Sequence, residues 1–79
     1  MGRDDNKVTC EIVEHIGTLS TKANGWSKEV NIVVWNHNEP KIDIREWDES
    51  HIKMSRGVTL TKEETVALLD TLKGWKGEK

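Results

Sequence analysis

From Lys41 to Asp48 the chain reads K-I-D-I-R-E-W-D, and its alternation is clean. In an extended strand successive side chains point to opposite sides, so Ile42 and Ile44 share one face while Lys41, Asp43, Arg45 and Trp47 share the other. The fold must therefore hold a sheet with one apolar face and one polar face that carries cations and an indole. Other segments agree. Val8, Cys10, Ile12 and Ile16 share one parity, which suits a first strand over Val8–Ser20, with Val13 and Leu19 out of phase and Gly17 marking a bulge or bend. Asn24-Gly25 is a strong turn signal. A second strand runs from Trp26 to about Asn36. Val30, Ile32 and Val34 lie on one side of it, Asn31, Val33 and Trp35 on the other. His37–Pro40 reads as a turn, Glu49–Arg56 as a polar loop, and Gly57–Leu60 as a short fourth strand.

Thr61 then opens a helix. With Glu64 three positions on it forms a capping box, in which the hydroxyl accepts an orphan amide proton and the carboxylate accepts the cap's own. Gly74 or Gly77 ends the helix. At 100° per residue, Val66, Leu68, Leu69, Leu72 and Trp75 cover an arc of about 180°, wider than one small sheet needs. Part of that arc is expected to pack on a second copy, through Leu68, Leu72 and Trp75. Size argues the same way. Ordering 79 residues costs on the order of 120 kcal/mol at roughly 1.5 kcal/mol each. The lone Cys10 allows neither an internal disulfide nor a multi-cysteine zinc site. A homodimer is the expected remedy. The expected class is thus α+β, a four-stranded antiparallel sheet followed by a C-terminal helix (ββββα). A single domain spans 8–75, between a disordered arm (1–7) and a disordered tail (76–79).

The net charge of −2 argues against a general polyanion binder, but binding depends on which face holds the cations. A tryptophan and cations on the solvent face of a sheet are what single-stranded nucleic acid needs, because cations meet phosphates and indoles stack on unpaired bases. Lys41, Arg45, Trp47 and Trp35 form that set. Lys53 and Arg56 extend it from the following loop, Lys22 and Lys28 from the first hairpin. The same pattern also allows Arg45 simply to pair with Asp43 or a cross-strand acid, and the tryptophans simply to pack. His15, His37 and His51 match no zinc spacing and read as solvated histidines. Cys10 reads as a small core residue rather than a nucleophile. No enzyme, metal, cofactor or small-molecule substrate is expected. No apolar run is long enough to span a membrane, and a cytoplasmic location is expected.

I-D-I-R-E-W at Ile42–Trp47, then a polar loop, then R-G-V-T-L-T at Arg56–Thr61 and a helix, resembles the transcriptional coactivator positive cofactor four family. The likeness is strongest to its bacterial YdbC-type branch, which also shows E-I-V-E-H-I-G-T-L-S and N-G-W-S-K-E-V. It covers about residues 8–73. The resemblance implies a curved sheet, a homodimer joined largely through its helices, and grooves that hold single-stranded DNA. By position it implies DNA contacts from Lys28, Trp35, Arg45, Trp47, Arg56 and Lys53. Trp26 has no firm counterpart; its parity with Val30 and Ile32 suggests packing, unless twist turns it toward ligand. His37, Asn38 and Glu39 stand where the family carries lysines. The long Ser- and Lys-rich tail of eukaryotic members has no match among the few residues before the first strand. Two rival readings remain: a protein-interaction module that uses a sheet edge or the helix stripe, and a binder of single-stranded RNA.

Overall fold

The computed structural model describes residues 9–75, so the expected arm and tail lie outside the described residues. Four strands, β1 (Cys10–Thr21), β2 (Ser27–Trp35), β3 (Lys41–Trp47) and β4 (Met54–Leu60), precede one helix, α1 (Lys62–Lys73). The strands form one sheet in the order β1-β2-β3-β4, each antiparallel to its neighbour. This is the ββββα arrangement expected from the periodicity.

Local chemistry explains the boundaries. Gly25 takes φ 94° in the first turn, and the Asn24 side chain accepts the Trp26 N–H at 3.0 Å. The second turn falls at Asn36 and His37, both left-handed (φ 48° and 65°), and is closed by Asn38 N–H to the Trp35 carbonyl at 2.8 Å. It lies one residue earlier than the expected His37–Pro40 because Asn36 is tied to Thr9 through both its backbone and its side chain. The capping box is present: Thr61 Oγ1 accepts the Glu64 N–H at 3.1 Å, and Glu64 Oε1 accepts the Thr61 N–H at 2.9 Å.

Two expectations about the strands need correction. β4 begins at Met54 rather than Gly57, since Met54 pairs with Trp47 and the ladder runs through the polar stretch. In β1 the pairing with β2 shifts register three times, between Ile12 and Glu14, His15 and Gly17, and Thr18 and Ser20. The residues skipped are Val13, Ile16 and Leu19, one in every three, and all are exposed. Each shift is a β-bulge, which re-phases the side chains that follow.

The largest correction concerns the core. Cross-strand pairing gathers Val30, Ile32, Ile42, Ile44, Val58 and Leu60 on one face, as alternation requires. That face is only partly covered, and Val58 is exposed. The fully buried side chains lie on the other face, the one expected to meet solvent: Val33, Asn31 and Asp43 are at 0 % exposure, Trp47 at 3 % and Glu29 at 4 %. Alternation fixes which residues share a side, not which side is covered. Helix α1 touches only β3 and β4 and has no buried residue of its own. The polar face, by contrast, is closed by its own hydrogen bonds and by the β3–β4 loop folding back over it.

Candidate nucleic-acid interface

The polar face is organised around two buried carboxylates. Asp43, in the middle of β3, accepts two hydrogen bonds from Arg45, Nε to Oδ2 at 2.7 Å and Nη2 to Oδ1 at 2.9 Å. Thr59 Oγ1 donates to Oδ1 at 2.8 Å, and Trp35 Nε1 donates to Thr59 Oγ1 at 3.1 Å. The guanidinium carbon of Arg45 lies 4.9 Å from the centroid of Trp35, a cation–π contact, and Nη1 donates to the Ser55 carbonyl. Arg45 and Trp35 thus form one unit with Asp43 and Thr59. The arginine side chain is only 10 % exposed.

Glu29, on β2, is the second centre. Ser27 Oγ donates to Oε2 at 2.6 Å, His51 Nε2 donates to Oε2 at 2.8 Å, and Asn31 Nδ2 donates to Oε1 at 3.2 Å. Because the Asn31 amide nitrogen is turned to Glu29, its oxygen faces His15, whose Nδ1 donates to it at 2.7 Å. Burial alone would push the Glu29 carboxyl up, but hydrogen bonds from Ser27, Asn31 and His51 hold it below the ordinary carboxylate range. A carboxyl lowered in the folded state lends stability above its unfolded value near 4.3, and that stability is lost as pH falls through the folded value. Unfolding measured from pH 6 to 3 should therefore show a loss below about pH 4.3, and Glu29→Gln should flatten it. An unchanged acid profile in the variant would remove Glu29 from the account.

The structure brings Trp35, Lys41, Arg45 and Trp47 to one face, as expected, but not as free ligand-binding groups. Arg45 is held by Asp43, the pairing the sequence left open, and Trp47 is buried beneath His51. The remaining cations are placed elsewhere. Lys28 pairs in register with Glu46, on the opposite face from Arg45. It is exposed and shares a shallow depression with Arg56, beside Ile44, Glu46 and Val58. Lys22 Nζ lies 3.0 Å from Glu46 Oε1. Trp26 is half-buried just before β2, at the end of the sheet that carries these cations. Lys53 is exposed in the β3–β4 loop. Trp47 also ends β3, so the polar face and the cationic depression meet at one end of the sheet.

His15 and His51 are both exposed to solvent, as expected, and each also bonds into the polar face. His51 donates to Glu29 directly and His15 through Asn31, so both belong to the Glu29 cluster as well as to the solvent surface. The legible signal was Glu29-x-Asn31, polar residues at one parity inside an otherwise apolar strand. Cys10 lies opposite Trp35, and burial and the Asp43 carboxylate push its thiol up, which disfavours a nucleophilic thiolate. Among the described residues no group of three or more His, Cys, Asp or Glu is arranged to hold a metal ion, and no helix is long and apolar enough to cross a membrane.

Residues 22–71 match the family described as Transcriptional Coactivator p15 (PC4). An uncharacterized protein of Treponema pallidum is 50% identical over 62 residues, which is 78% of this chain and 73% of that protein. The matched span takes in β2, β3, β4 and nearly all of α1, and with them the Asp43–Arg45–Trp35 unit and Trp47; the chain belongs to the transcriptional coactivator p15 (PC4) family.

Proposed function

We propose that the protein binds single-stranded DNA as a homodimer, without sequence preference and without catalysis, in a role akin to transcription regulation or the support of replication or repair. The observation that carries this reading is the joining of Trp35, Arg45 and Trp47 on one sheet face in a chain of this family. Indoles stack on bases of any sequence, and exposed cations near the Trp47 end of the sheet supply phosphate contacts. Among the described residues, Lys28, Lys53 and Arg56 are exposed cations without a salt-bridge partner, Lys41 lies on the polar face itself, and Lys22 is shared with Glu46. The second copy is favoured by the helix: Val66, Leu68, Leu69, Leu72 and Trp75 are all exposed, an apolar stripe left uncovered among the described residues. A cytoplasmic location belongs to the same proposal.

Tryptophan fluorescence should change on titration with oligo-dT and far less with duplex DNA. Affinity should fall as salt rises, through counterion release. Lys28→Ala with Arg56→Ala should weaken binding without lowering stability, and should reduce the salt slope by roughly 1.4, two single-strand contacts at about 0.7 each. Absence of any response to micromolar oligo-dT would overturn the reading in favour of a protein-interaction module. Equal response to oligo-U would leave RNA as a ligand, since the sheet offers no evident reader of the 2′-hydroxyl.

A further inference from the structure

His51 lies over the Trp47 indole. Its ring is stacked on the Trp47 indole, with centroids 5.9 Å apart and planes 26° from parallel. Its Nε2 is anchored 2.8 Å from Glu29 Oε2, and Glu29 is itself fixed by Ser27 and Asn31. The ring is brought there by the backbone, since His51 sits in the left-handed region at φ 62°. Asp48 holds the loop in that shape. Its Oδ1 accepts the N–H groups of Ile52 and Lys53, each at 2.9 Å, and its carbonyl accepts the N–H of His51. Beneath the ring, Trp47 is 3 % exposed, and its Nε1–H is the one buried side-chain polar atom among the described residues without a hydrogen-bond partner. A buried donor left unpaired is costly. Here it belongs to the indole that the site needs for stacking. The cover over it is light: residues 49–53 of the loop are all exposed, with Ile52 at 79 %, so displacing the loop sacrifices little packing of its own side chains.

We propose that His51 is a gate over Trp47. In the free protein its imidazole occupies the base-stacking position. Binding of a single strand displaces it, opens the indole face to a base, and offers the Nε1–H to a base carbonyl or phosphate oxygen. This deepens the single-stranded DNA reading and rests on it. His51 thereby sets affinity: the closed fraction lowers the apparent affinity by the fraction of molecules that are open.

The test compares wild type with His51→Gly, which suits the left-handed backbone and removes the ring, and with His51→Asn, which also tolerates that backbone. Both are expected to bind oligo-dT about 3- to 10-fold more tightly, as for an open state populated at roughly 10–30% in the wild type. Solvent exchange of the Trp47 indole N–H, identified by its loss in Trp47→Phe, should also be faster in both. Equal or weaker binding by both variants overturns the gate, and weaker binding makes His51 part of the stacking platform. If the wild type does not bind oligo-dT, the functional reading fails by itself. The exchange measurement then still decides whether His51 closes over Trp47, with unchanged exchange overturning the cover.

Discussion

Asp43→Ala is expected to cost about 3–5 kcal/mol, the loss typical of removing one partner from a buried ion pair. The carboxylate is fully buried, accepts from both Arg45 and Thr59, and faces a guanidinium with little access to water. Truncation leaves that guanidinium buried and unpaired. It also frees Thr59 Oγ1, on which the Trp35 indole rests. A chain of this size has a total stability of only about 4–12 kcal/mol, so the variant loses a large share of it. Replacing Arg45 as well, by Leu, should recover part of the loss, because the uncompensated charge goes with it. Urea unfolding at fixed protein concentration, needed if the protein dimerises, reads the difference directly. A loss under about 1 kcal/mol would mean that Arg45 reaches solvent without Asp43 and that the pair behaves as a surface salt bridge.

Gly57→Ala should be nearly as damaging for a different reason. Gly57 faces Arg45 across the β3–β4 ladder. A Cβ added there would overlap the Arg45 Cβ and the Ile44 carbonyl oxygen and lie 3.0 Å from the Arg45 Cα. None of these is the flexible end of a side chain, so the strands themselves must part. The cost is expected at or above the upper end of the usual overpacking range of about 1–3 kcal/mol. Amide chemical shifts should move along β3 and β4, with β1 little affected. Unchanged stability would show that the strands do not approach so closely. The side-chain-free Cα also leaves Arg45 room to lie flat along the face toward Asp43 and Trp35, so this glycine and the ion pair stand or fall together.

How legible such features are in the sequence depends on how local their causes are. The helix start was readable because Thr61 and Glu64 satisfy each other within one turn. The faces of β3 were readable because alternation is a property of the strand alone. The bulges of β1 were not: Gly17 hinted at one, but Val13 and Leu19 only looked out of phase, and a register shift is decided jointly with β2. Burial of the polar face was also out of reach, because it depends on contacts distant in the chain, His51 with Glu29 across 22 residues and Trp35 with Thr59 across 24. The site was legible as a set, Trp35, Arg45 and Trp47 together. Its state was not. The sequence suggests stacking groups open to solvent, whereas the fold holds one arginine in a buried ion pair and hides one tryptophan beneath a loop.

The register shifts of β1 have a consequence for assembly. β1 is an edge strand, and its outer side offers backbone N–H and C=O groups to any extended chain that can match their spacing. A straight incoming strand needs an even ladder, and three bulges in twelve residues deny it one. The exposed side chains of Val13, Ile16 and Leu19 therefore do not add up to a sticky rim, although an apolar edge of that length would otherwise template stacking of copies into fibres. A partner that docks by lending the sheet a fifth strand at this edge is disfavoured for the same reason, so β1 closes the sheet sideways and leaves association to the helix stripe and the two faces.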